Sequence, residues 1–217
     1  MAKILKSLGI IPARYASSRL PGKPLLDIGG KPMLEQVYRR ALEGVEELLV
    51  ATDDKRIEST VREFGGQVVL TDPGHPTGTN RCLEAYQKWA SYGREAEVVV
   101  NIQGDEPLVD PLDLGLLIDL FADKAVGLGT LVKALTTREE LRNRTGCFVV
   151  LNQRDEALYF SRALLPVVRD YPEEEWLEHQ TFYKHLGLYA YRPEVLREFA
   201  PMPTSALETP SNEKPVL

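Results

Sequence analysis

Short apolar runs of buried-strand type alternate along this chain with segments of helical period, and that alternation restricts its fold more than any other feature. Leu8 to Ile11, Glu47 to Ala51 and Gln67 to Leu70 read as strands. Met33 to Leu42 carries apolar residues at helical spacing, and Lys55 to Phe64 follows the capping cluster Thr52-Asp53-Asp54 and ends at Gly65-Gly66. Strands alternating with helices imply a parallel sheet with right-handed crossovers. The chain has 217 residues, 43% of them hydrophobic, enough for one sizeable core and short for two. The expected fold is α/β: a mostly parallel twisted sheet with helices on both faces.

The later elements are read in the same way. Cys82 to Trp89 is expected as helix, the β-branched run that begins at Glu97 as a central strand with Asp105 and Glu106 just past its carboxyl end, and Pro111 to Ala122 as helix. Ala125 to Val132 reads as strand, Thr137 to Arg142 as a short helix, and Phe148–Leu151 and Ala157–Phe160 as two strands joined by the turn Asn152 to Glu156. Val168 to Gln180 has little periodicity and reads as a loop or arm. Lys184 to Tyr191 is a strand, and Pro193 to Phe199 a helix with proline at its first position. The expected division is one domain over 1–208, with a smaller β-rich arm over 125–180 and a coil over 209–217.

Two stretches carry chemistry. In the first, Pro12 cannot donate to a sheet ladder and is expected to stop the opening strand. The loop after it holds Pro12, Ala13, Arg14, Ser17, Ser18, Arg19 and Lys23, so cationic donors and hydroxyls stand where a nucleotide triphosphate would lie. Loops after parallel strands sit at the carboxyl edge of the sheet, where such folds bind ligands. The stretch is neither a Walker loop nor a Gly-x-Gly-x-x-Gly fingerprint. In the second, Gln103-Gly104-Asp105-Glu106-Pro107 follows a central strand, and Asp105 is placed to hold Mg²⁺ against phosphates.

A third stretch, Thr71 to Arg81, is too rich in turn formers for regular structure. It reads either as a binding loop with Thr77, Thr79 and Arg81 as donors, or as a helix cap with a solvated arginine.

Ile11 to Leu25 resembles the signature of the 3-deoxy-manno-octulosonate (Kdo) cytidylyltransferases, and Gln103 to Pro107 resembles the same family's second signature. Thr77 to Arg81 matches its Ser-Gly-Thr-Glu-Arg-like run at Gly78, Thr79 and Arg81, with Asn80 in place of an acid. Ala157 to Arg162 and His185 to Tyr189 match two further runs. The resemblance implies a nucleotide-diphospho-sugar transferase-like, Rossmann-related fold, the substrates CTP and Kdo, Mg²⁺ as cofactor, and a homodimer. It implies catalytic roles for Arg14, Lys23 and Asp105, and nucleotide contacts from Pro12, Ala13, Arg14, Ser18, Arg19, Lys23 and Thr79. Arg81, Gln103, Arg162 and His185 would bind the sugar acid; from its residue type alone, His185 reads equally as structural. The chain departs from the family where Asn143 to Val149 lacks a lysine, and after Glu208, where the family's terminal helix, strand and second metal carboxylate are not matched. A cytidylyltransferase for another sugar acid, of the sialic-acid type, and a CTP-binding protein without turnover are the rival readings.

A net charge of −6 and a pI near 5.3 argue against nucleic-acid and anionic-membrane partners and suit a small anionic ligand on a local basic loop. Cys82 and Cys147 lack metal-type spacing and are expected as ordinary thiols. No run approaches membrane-spanning length and no leader pattern is visible, so the expected location is the cytoplasm.

Overall fold

The computed structural model describes residues 5–16, 20–143, 146–203 and 205. Two compact units emerge: the first holds the described residues up to Gly129 and from Leu188, the second Thr130–Gly187. In chain order the elements are β1 (Ser7–Ala13), α1 (Met33–Leu42), β2 (Glu47–Thr52), α2 (Lys55–Glu63), β3 (Val68–Leu70), α3 (Gly78–Ala90), β4 (Val98–Asn101), α4 (Pro111–Asp119), β5 (Leu128–Ala134), α5 (Arg138–Arg142), β6 (Phe148–Leu151), β7 (Ala157–Ser161), α6 (Trp176–His179), β8 (Tyr183–Tyr191) and α7 (Pro193–Phe199).

In the first unit, β3, β2, β1 and β4 lie side by side and parallel, and the last residues of β8 pair antiparallel with β4 through Tyr189, Ala190 and Tyr191. Alternation along the strands sends Leu8, Ile10, Leu49, Ala51 and Val99 to one face, where they pack on Cys82, Ala85, Tyr86 and Trp89 of α3 and Leu196 of α7. The opposite face meets α1, α2 and α4, whose buried residues include Leu34, Val37, Ile57, Val61 and Leu114. Each fully buried aliphatic side chain contributes about 1.5–3 kcal/mol, so both faces are sealed by short helices that would not persist alone. Helices on both faces of a mostly parallel sheet are the α/β fold expected.

The second unit is antiparallel. β6 pairs with β7 on one side and with Tyr183 and Lys184 of β8 on the other. Its core gathers Leu135, Leu141, Phe148, Leu164 and Phe182, with the Trp176 indole stacked on Phe182 at 5.9 Å between centroids. Thr137 and Glu140 form a reciprocal capping box that starts α5.

Three expectations are corrected. β1 does not stop before Pro12: it runs to Ala13, with Pro12 opposite Ala51 and Ala13 opposite Thr52. The Ile10 carbonyl accepts from the Ile102 amide, so the Pro12 nitrogen, two residues on, faces the same side after β4 has ended at Asn101. No ladder bond is lost there. α3 begins at Gly78 instead of Cys82, because the Thr77 hydroxyl accepts the Asn80 amide and caps it. Val168 to Gln180 is not all loop but holds a 3₁₀ turn at Glu173–Glu175 and α6. Neither Cys82 nor Cys147 forms a disulfide among the described residues; Cys82 is wholly buried, which pushes its thiol pKa up. No helix among the described residues is long and apolar enough to cross a membrane.

Candidate functional site

The strand order places β2 and β3 on one side of β1 and β4 on the other, so the chain reverses direction across the sheet between β1 and β4. The crevice outside the carboxyl ends at such a point is where open α/β sheets bind ligands. Pro12 is its hub. A Cβ on Gly78 would stand 3.3 Å from Pro12 Cγ, and one on Gly104 would stand 3.1 Å from the Pro12 carbonyl oxygen. Glycine therefore lets both the start of α3 and the loop after β4 close on the end of β1.

This closeness brings the two signature stretches together. Lys23 Nζ donates to Asp105 Oδ2 at 2.7 Å, joining the loop after β1 to the loop after β4. Both side chains remain open to solvent, 37% and 48% exposed, so the pair is screened and exchangeable. Arg14, exposed just past β1, acts electrostatically on Arg81. Pro12 and Ala13 lie at the strand end; Ser18 and Arg19 fall outside the described residues. Gln103 is half-buried two residues beyond β4.

Arg81 is neither solvated nor open to a ligand. Its side chain is 1% exposed, with Nη1 donating to Thr71 Oγ1 at 2.5 Å and Nη2 3.0 Å from Asp53 Oδ1. That last approach is an ion pair whose angle misses hydrogen-bond geometry, since neither atom has a hydrogen-bond partner. Burial lowers the Arg81 pKa, the Asp53 carboxylate opposes the shift, and repulsion from Arg14 adds to it. The guanidinium stays charged and braces the ends of β2 and β3. Direct contact between Arg81 and a sugar acid does not fit this burial. Thr79, half-buried in the first turn of α3, has its hydroxyl beside that of the buried Tyr191.

Asn80 explains its own departure from the family pattern. Its Oδ1 accepts from the Thr77 hydroxyl at 2.5 Å while its Nδ2 donates to the Ala200 carbonyl at 2.6 Å. A glutamate could not make the second bond.

In the second unit, Arg162 is exposed one residue beyond β7. His185 is half-buried, its Nε2 2.8 Å from Thr130 Oγ1 and its ring edge-on to Phe160 at 5.2 Å. Burial pushes its pKa down to about 4, so the imidazole is neutral at pH 7. It is suited to a hydroxyl more than to a carboxylate.

Among the described residues, no three His, Cys, Asp or Glu side chains cluster as a metal cage. One exposed strand-end carboxylate, Asp105, beside the exposed Glu106, instead fits a Mg²⁺ that arrives with phosphates and keeps its water. Sequence reasoning passed over two polar groups. Asp53, read from sequence only as part of a capping cluster, directly follows β2, and Asp105 lies four residues past β4; both stand at the carboxyl edge of the sheet, and that was the signal. Asn101, 5% exposed at the end of β4, has a buried Oδ1 without a hydrogen-bond partner, and nothing in its strand pattern marks it.

The fold and the strand-end cluster define an α/β protein with a charged ligand crevice at the carboxyl edge of its parallel strands. The profile of the family described as Cytidylyltransferase matches residues 8–214. A protein of Parabacteroides distasonis named 3-deoxy-manno-octulosonate cytidylyltransferase is 49% identical over 209 residues, 94% of this chain and 82% of that one. One of Bacteroides thetaiotaomicron with the same name is 48% identical over 207 residues, again 94% and 82%. A solved CMP:2-keto-3-deoxy-manno-octonic acid synthetase complexed with CTP is 43% identical and superposes with a TM-score of 0.84, covering 94% of this chain and 81% of that one. The chain belongs to the cytidylyltransferase family.

Proposed function

We propose that the protein joins Kdo to the cytidylyl group of CTP, releasing CMP-Kdo and pyrophosphate. The observation that carries this reading is the likeness to the CTP-complexed synthetase across 94% of the chain. The anomeric hydroxyl of Kdo attacks the α-phosphorus directly, so positioning and charge neutralisation supply most of the rate. Arg14 and Lys23 neutralise the triphosphate and the departing pyrophosphate. The ends of β1 at Pro12 and Ala13, with Ser18 and Arg19, complete the nucleotide contacts. Asp105 would hold Mg²⁺, which when bound spreads the phosphate charge. In that state Lys23 exchanges its carboxylate partner for phosphate oxygens, a step favoured by the exposure of the pair.

Gln103, Arg162 and the neutral His185 are assigned to the sugar acid on motif likeness, and Arg81 is reassigned to bracing the sheet edge. A homodimer, a cytoplasmic location where CTP is made, and a role in supplying Kdo for lipopolysaccharide belong to the same proposal.

Pyrophosphate release with CTP plus Kdo, CTP plus sialic acid, and CTP alone tests it. Release only with Kdo is expected. Release only with sialic acid would reassign the sugar, and CTP binding with release from neither would leave a nucleotide-binding protein.

A further inference from the structure

The Arg56 guanidinium lies over the Tyr15 ring, its Cζ 3.3 Å from the ring centroid. Tyr15 belongs to the loop after β1, and Arg56 to the first turn of α2. The guanidinium is not a loose surface cation: its Nε donates to Asp54 Oδ1 at 2.9 Å and its Nη2 to Asp54 Oδ2 at 2.6 Å. This two-point grip fixes the plane of the guanidinium where a lysine would turn freely. Asp54 is itself held, since its Oδ1 also accepts the Arg56 amide as the N-cap of α2.

From Tyr15 the constraint passes to the cationic end of the loop. The Tyr15 carbonyl accepts the Gly22 amide at 2.8 Å, and Gly22 immediately precedes Lys23. Gly22 adopts φ +73°, and a Cβ there would meet Tyr15 Cζ, Cε2 and Oη at 3.1–3.2 Å. Only glycine both turns the chain in this way and lets it lie against the ring. A helix-anchored cation thus fixes an aromatic ring, and the ring fixes the turn that carries Lys23.

We propose that Arg56 is a positioning residue for CTP: with Tyr15 it forms a latch that holds Lys23 at the phosphate site. The proposal rests on the nucleotide reading of that site. The Arg56 side chain is 58% exposed and the Asp54 cap is made by the backbone amide, so replacing that side chain leaves the core and the cap in place.

The test uses the full chain with Arg56→Met, Tyr15→Ala and the double variant, with Tyr15→Phe as the conservative control. CTP affinity is read by calorimetry without sugar, and exchange of the Gly22 amide is read by hydrogen–deuterium exchange without nucleotide. Arg56→Met is expected to weaken CTP binding about three- to tenfold, the range that a partly exposed cation–π contact supports. It should speed Gly22 exchange by a similar factor while leaving the melting temperature near that of the parent chain. Tyr15→Phe keeps the ring and should restore both readouts to within about twofold. The double variant should be no worse than Tyr15→Ala alone, because the two residues act as one unit.

Unchanged Gly22 exchange in Arg56→Met would overturn the latch even if CTP binds well to the parent chain. Fully additive losses in the double variant would overturn it too. Changed exchange without any CTP binding by the parent chain would instead remove the nucleotide reading, and with it the role assigned to Lys23.

Discussion

At the ends of β2 and β3 Arg81 is buried against a partly covered Asp53, whereas at the ends of β1 and β4 both members of the Lys23–Asp105 pair stand in water. Both couple a cation to a strand-end carboxylate along the same sheet edge, at 3.0 and 2.7 Å. Their exposures differ sharply: 1% and 23% for Arg81 and Asp53, 37% and 48% for Lys23 and Asp105. A buried charge that loses its partner has nowhere to go, so such a pair is hard to open and serves to brace. An exposed pair is nearly neutral in stability, and either member can turn to a ligand at little cost. Exposure, more than residue type, separates the scaffold from the site at this edge.

The sharpest break in the comparison is Asp105→Asn. It keeps the volume and removes the charge, so Mg²⁺-dependent pyrophosphate release with CTP and Kdo should fall by about a hundredfold or more. Stability in urea should change by less than about 1 kcal/mol, as for other exposed pairs. Full activity at saturating Mg²⁺ would remove Asp105 from the metal site.

Arg81→Leu should do the reverse. It strands the Asp53 carboxylate and the Thr71 hydroxyl at the ends of β2 and β3, and a loss of about 3 kcal/mol in urea unfolding is expected, toward the low end for a broken buried pair because Asp53 is partly wet. CTP affinity measured well below the unfolding transition should stay within a fewfold of the parent chain. A stable variant that has lost CTP binding would return Arg81 to the site.

The strand-end chemistry was legible because parallel strands project their following loops to one edge, so basic and acidic clusters after the first and fourth strands had to be neighbours. Arg81 was misplaced for a physical reason: an arginine in the first turn of a helix looks the same in sequence whether that turn faces water or Asp53. The early start of α3 was hidden by Gly78 and Asn80, which read as turn formers until the Thr77 cap is seen to hold them. Pro12 misled because a missing amide matters only if a neighbouring strand is present to receive it. Arg56 escaped notice because its partner Tyr15 is distant in sequence, and no periodicity links a loop ring to a helix cation.

His185 extends the comparison to the second unit, where a half-buried imidazole lies against the Thr130 hydroxyl and the Phe160 ring. Its folded pKa of about 4 lies below the ordinary 6.5, so the unfolded chain takes up the proton first. The stability it contributes is complete above pH 6.5 and is lost as the pH falls toward 4, by about 2 kcal/mol after allowance for the part of the ring that solvent reaches. His185→Gln should flatten that limb of a urea-stability profile between pH 6.5 and 4. An unchanged slope would show that another group titrates there.

Lys23→Ala is the mildest break and the most discriminating. Stability should fall by no more than about 1 kcal/mol, because Asp105, left without the ammonium, is still hydrated. CTP affinity should fall about tenfold, since a point charge on the phosphates acts before the transition state as well as in it. The salt dependence of CTP binding should weaken in parallel, because one screened attraction has gone. The mirror-image result, with affinity and salt dependence intact but stability down by several kcal/mol, would make Lys23 a brace like Arg81. It would also show that exposure does not separate scaffold from site along this edge.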